Sequence, residues 1–149
     1  SEEERAGLNR MKELIEMLHA GGYSCVIAHG DCIRTFTQRG VADLYDLLVT
    51  EPDFLQGASI ADKVIGKAAA SLMVLGGVTE VYTRTISEPA LRLLQEAGIK
   101  VSCDEVVDHI INRDRTGWCP LEQASRDLQS AREIFPVIEK FISNQRKNA

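Results

Sequence analysis

Lys67 stands with Asp62 and Lys63 in an otherwise apolar stretch, ADKVIGKAAASLMVL. An amine in such surroundings can bind a phosphate or carboxylate, and when desolvated it can attack an aldehyde or sugar carbonyl. Asp62 and Lys63 would then line the ligand site. A plainer reading makes Lys67 a side chain that snorkels from a buried helix, Asp62 the cap of that helix, and Lys63 and Lys67 one solvated face. Residues 61–68 approach the spacing of a phosphate-binding loop. Ala61 replaces its first glycine and Ala68 its Ser/Thr, and no strand is expected to feed it, so that motif is excluded.

A second group lies in Gly117-Trp118-Cys119-Pro120-Leu121-Glu122. Cys119 falls at a helix N-cap, where the helix dipole favours a thiolate. Trp118, the only tryptophan, can stack on a ring; as a structural residue it would plug the core. The remaining candidates read more simply as structure. His29 and Asp31 flank a turn, His109 falls on an expected helix, and Arg113-Asp114-Arg115 is a loop that could clamp an anion. Three dispersed histidines give no metal-ligand spacing. Cys25, Cys32, Cys103 and Cys119 form no Cys-x-x-Cys pair and read as free thiols, although Cys25 and Cys32 could face each other on a hairpin.

The elements that must position these groups follow from periodicity. Residues 1–9 read as a flexible lead, and 10–149 as one domain. Leu8, Met11, Leu14, Ile15 and Leu18 make an amphipathic stripe that Gly21-Gly22 ends. Tyr23–His29 and Cys32–Thr37 around Gly30-Asp31 form a hairpin. A short helix from Val41 stops before Pro52, a loop covers 53–59, and one buried helix covers Ile60–Leu75. Val78–Thr85 is a strand, Ser87 and Pro89 open a helix, and Ile99–Cys103 is another strand. Helix propensity returns over 105–111. Pro120 opens a long helix over 121–145 that Pro136 should kink or split. Strands joined by single helices imply parallel pairing in a layered α/β domain with an antiparallel edge.

The chain has 149 residues, 44% hydrophobic and 5% aromatic, so aliphatic side chains must fill its core. A net charge of −5 argues against a nucleic-acid surface and favours small-molecule or protein partners. No run reaches the roughly 20 apolar residues of a membrane span. The acidic start lacks a signal peptide's apolar run, so a cytoplasmic location is expected.

An initial helix, a hairpin, a buried alanine-rich helix, then strand, helix and strand is an order that resembles the cytidine deaminase superfamily. Ile65-Gly66-Lys67-Ala68-Ala69-Ala70 resembles the segment carrying Cys/His-Ala-Glu in those enzymes. Ser87-Glu88-Pro89-Ala90-Leu91-Arg92 is similar in place to their Pro-Cys-x-x-Cys. Over residues 10–130 the chain also resembles an uncharacterised bacterial family with this fold and no zinc motif. The resemblance implies a three-layer α-β-α fold with a mixed sheet and helices on both faces. It puts Ile65 at the first zinc-ligand position, Lys67 at the glutamate position, and Glu88 and Leu91 near the cysteine positions. A zinc deaminase needs three ligands and a carboxylate, so neither that activity nor any cofactor is expected.

Two readings of function follow. In one, a metal-free pocket binds a nucleotide, nucleoside or sugar phosphate, with Lys67 and Cys119 as reactive groups and Asp62, Lys63, Glu88 and Trp118 as ligand contacts. In the other, the domain is non-catalytic and buries an aliphatic helix such as 121–145 against a second copy or another protein. A redox role for Cys119 is a third.

Overall fold

Five strands pair into one mixed sheet in the order β2-β1-β3-β4-β5. The computed structural model describes residues 1–38, 40–112 and 115–149. The chain runs α1 (Glu2–Ala20), β1 (Cys25–His29), β2 (Cys32–Phe36), α2 (Ala42–Thr50), α3 (Pro52–Leu55) and β3 (Ser59–Ile65). It continues through α4 (Lys67–Gly76), β4 (Glu80–Ser87), α5 (Glu88–Glu96), β5 (Lys100–Val107), α6 (Pro120–Ala124) and α7 (Ala131–Lys147). β1 is antiparallel to β2 and β3, while β3, β4 and β5 are parallel. The expected α/β class, mixed sheet and antiparallel hairpin are therefore present.

The sheet separates two cores. On one face α1 places Met11, Leu14 and Leu18 against Val26, Ala28, Ala61 and Tyr82. Burying each such large side chain contributes about 1.5–3 kcal/mol. On the other face α2, α4, α5 and α7 pack Leu44, Leu72, Leu94, Ile134 and Ile138 against Ile27, Ile60 and Val81. Helix α4 lies at the centre of that layer, and its Ala68-Ala69-Ala70-Ser71 run is buried. Small side chains there let neighbours approach closely. A Cβ on Gly76 would sit 2.9 Å from Leu55 Cδ1.

Several expected boundaries move. Helix α1 begins at Glu2, where the lead was expected to fray, because Ser1 and Glu4 form a reciprocal capping box. The expected helix over 60–75 is a strand up to Ile65 and a helix only from Lys67. A short apolar run fits a buried strand and a buried helix equally well, and here pairing with β1 and β4 selects the strand. Asp62 is thus not a helix cap, and Lys63 and Lys67 do not share a helical face. Helix α3 takes up the start of the expected 53–59 loop and β3 its last residue, and the helix expected near 105–111 is partly the end of β5.

The helix expected over 121–145 breaks between α6 and α7, where Ser130 and Glu133 make a second capping box, and Pro136 is carried inside α7. The hairpin register pairs Cys25 with Phe36 and His29 with Cys32, so the two cysteines do not face each other. All four cysteines are free. No described helix is long and apolar enough to cross a membrane.

Candidate functional site

A cleft of about 840 Å³ opens where β3 ends and α4 begins. Its walls come from β3 (Asp62–Val64), the first turn of α4 (Gly66–Ala69), the start of α2 (Ala42–Leu44), residues 110–112, the start of α6 (Cys119–Glu122), and Phe141 and Gln145 of α7. Open α/β sheets bind ligands at this end of their parallel strands, because the loops and helix N-termini gather there. Gly66 caps α4 without a side-chain hydrogen bond. The first N–H groups of a helix have no intrahelical acceptor, and Ala68 and Ala69 of this first turn line the cleft.

Lys67 is buried, with 7% of its surface exposed, and its role is visible in its bonds. Its Nζ donates to the carbonyls of Ser125 (2.8 Å) and Arg126 (3.2 Å) just beyond α6. Its backbone N–H donates to Glu122 Oε2 at 3.0 Å, and the N–H of Ile110 donates to Glu122 Oε1 at 3.1 Å. Glu122 is itself buried. One carboxylate and one ammonium thus fasten three distant segments, 66–67, 110 and 122–126. Gly66 permits this closeness, since a Cβ there would meet Ile110 Cγ1 at 3.2 Å and Glu122 Cδ at 3.3 Å. Burial lowers the Lys67 amine below its ordinary pKa, while the charges of Glu122 and Asp127 oppose that shift.

Asp62 lies opposite Cys25 in the antiparallel β1–β3 pair, so both face the helix layer and the cleft. Burial raises Asp62 to about 7, against the smaller opposing effect of N–H donors from Val64 and Lys63. The Cys25 thiol is also pushed well up, first by burial and then by the charges of Asp62 and Asp43. Asp43 reaches the cleft from α2 and accepts from both the backbone N–H and the side-chain amide of Gln38.

Of the residues expected to form the site, the structure brings Lys67, Cys119, Asp62 and Lys63 to one cleft. Cys119 is the N-cap residue of α6, half-buried, and its backbone N–H donates to Ile110 O. Trp118 is turned to another task. Its ring stacks on His109 at 4.1 Å and 13°, with the Arg126 guanidinium 5.6 Å away, so a ring face that a ligand would use is covered. Glu88 is exposed at the start of α5 and pairs with Arg92 at 3.2 Å. Neither Trp118 nor Glu88 lines the cleft. In the Arg113-Asp114-Arg115 clamp, Arg113 and Asp114 lie outside the described residues; Arg115 is exposed. His29 is tilted against Phe54 at the hairpin.

Sequence reasoning gives no site role to Glu122, Asp43 or Cys25, although the first lies in the second candidate stretch and the last among the free thiols. Within that stretch no role falls to Glu122 from sequence. Its one signal was its place two residues beyond Pro120, where it can reach an N-terminus other than its own.

The positions that resemble zinc ligands do not fit a metal. Ile65 is fully buried and apolar, Leu91 packs against the core, and Glu88 is ion-paired at the surface. Among the described residues no three His, Cys, Asp or Glu side chains gather in a metal-binding set.

The family described as "TM1506: Domain of unknown function (DUF1893)" matches residues 13–142. The crystal structure of a DUF1893 family protein (TM1506) from Thermotoga maritima is similar over 89% of each chain, with 25% identity and a TM-score of 0.81. Two forms of Acinetobacter baumannii RibD are more distant, at 21% identity and TM-scores of 0.41 and 0.43. They cover 64% and 63% of this chain, and 34% and 33% of their own. No curated protein matches the chain significantly in sequence.

Proposed function

The chain belongs to the DUF1893 family, and we propose that in it the cleft beside Lys67 binds a nucleotide, nucleoside or related sugar phosphate without a metal. The observation that carries this reading is the cleft itself. Its volume falls within the range of about 300–1,000 Å³ typical of small-molecule sites. Its lining is of two kinds. Val41, Leu44, Leu121 and Phe141 offer apolar surface to a ring, while Asp62, Asp43 and Lys63 offer polar contacts.

The parts divide by charge. The Lys67 N–H at the start of α4 is already met by Glu122, so a ligand anion is left the N–H groups of the next residues of that turn and Lys63 at the cleft wall. Asp62 and Asp43 favour groups that donate hydrogen bonds, as base and sugar edges do. Lys67 acts on the ligand indirectly in this reading. Its ammonium holds the turn after α6, and that turn holds the wall containing Cys119.

Calorimetry with uridine, uridine 5′-monophosphate and ribose 5-phosphate tests the reading. Lys63→Ala should weaken the two phosphorylated compounds about tenfold, the equivalent of about 1.4 kcal/mol, and leave uridine nearly unchanged. Absence of binding by all three would remove the proposal. An equal loss for uridine would remove Lys63 from the phosphate end.

A further inference from the structure

Three carboxylates line the cleft, and they are not equivalent. Glu122 accepts from the backbone N–H groups of Lys67 and Ile110. Asp43 accepts two hydrogen bonds from Gln38. Asp62 accepts only from its own strand, through a 3.4 Å bond from the Val64 N–H and a second from Lys63. Among the described residues it forms no ion pair. It therefore stands at the wall of the 840 Å³ cleft without an ion pair to any described residue.

Resting on the cleft reading above, we infer that Asp62 meets the ligand as a neutral carboxylic acid, so the ligand enters with a proton and carries an amide-type ring edge, a C=O beside an N–H. The groups around Asp62 support the neutral form. Cys25 lies opposite it on β1, and Asp43 from α2, Lys63 from its own strand, Lys67 from α4, and Cys119 and Glu122 from the start of α6 line the same cleft. The Lys67 ammonium is held by the Ser125 and Arg126 carbonyls, and Glu122 is held by two backbone N–H groups. Asp43 adds a like charge. Burial already brings Asp62 to about 7.

A ring that fills the cleft displaces more water and moves the balance further the same way. The neutral acid then presents one O–H donor and one C=O acceptor. A ring carbonyl next to a ring N–H is the complementary pair and makes two hydrogen bonds. A ligand offering only hydroxyls or phosphate has no such edge and gains nothing from the proton.

Calorimetry at pH 8 in Hepes and in Tris separates the outcomes, because these buffers differ in ionisation enthalpy. Uridine 5′-monophosphate carries the edge and ribose 5-phosphate lacks it. The first should show a buffer-dependent enthalpy corresponding to uptake of about one proton, and its affinity should fall about tenfold per pH unit above 8. Ribose 5-phosphate should show neither effect. Asp62→Asn should abolish both for the nucleotide. Nucleotide binding with no buffer dependence, or with the dependence retained in Asp62→Asn, overturns the inference and leaves the cleft reading standing. Binding of ribose 5-phosphate without the nucleotide does the same. Absence of binding by either probe overturns both.

Discussion

Glu122→Ala is expected to lower the unfolding free energy by about 3–5 kcal/mol, the largest loss of any single change at the site. Both oxygens of this buried carboxylate accept backbone N–H groups, from Lys67 and from Ile110. Alanine orphans both donors in a place water reaches poorly. It also removes the negative charge that favours the buried Lys67 ammonium. Glu122→Gln keeps one good acceptor and turns an amide N–H₂ toward the other donor, so it should lose about half as much. Urea denaturation of the three proteins checks this. A cost below about 1 kcal/mol for alanine would mean that the fastening does not hold the cleft wall.

Asp62→Asn is expected to act in the opposite direction and only at higher pH. In the unfolded chain this carboxyl titrates near its ordinary value of 3.8; in the folded protein burial raises it to about 7. Between those values the folded state keeps a proton that the unfolded state has released. Stability therefore falls as pH rises from about 4 through about 7, and the loss is complete above that window. Asparagine cannot ionise. The variant should gain about 1–3 kcal/mol over the wild type at pH 8, and should gain nothing at pH 4. Denaturation midpoints at the two pH values decide it. A difference of the same size at both would show that hydrogen bonding, not charge burial, sets the effect.

The fold was legible where local chemistry and global packing agree. Ser87, Pro89 and Gly98 bracket α5 as their cap and turn chemistry demands. Gly30-Asp31 marks the hairpin, and the α1 stripe is the face that covers the sheet. It was not legible at β3. Ile60-Ala61-Asp62-Lys63-Val64-Ile65 has no alternation, because the strand is flanked by β1 and β4 and buried on both faces near its start.

The site was half legible. Lys67 attracts attention as a lone cation in an apolar run, and position brings Asp62, Lys63 and Cys119 with it. Its bonding was hidden, since Ser125 and Arg126 are 58 and 59 residues away in the chain. Trp118 was misleading for a more local reason. A lone tryptophan in a turn suggests an open ring, but His109 comes from the opposite limb of that turn to stack on it.

The central claim is that the amine at the α4 N-terminus fastens the cleft while other groups meet the ligand. Lys67→Met tests it most directly, because it keeps the side chain's length and removes its donors. Stability and uridine 5′-monophosphate affinity should be measured on the same protein. The account predicts a stability loss of about 1–3 kcal/mol from the unmet Ser125 and Arg126 carbonyls, with affinity retained within about threefold under conditions where the variant is folded. Affinity abolished with stability intact would contradict it, and would place the Lys67 amine on the ligand.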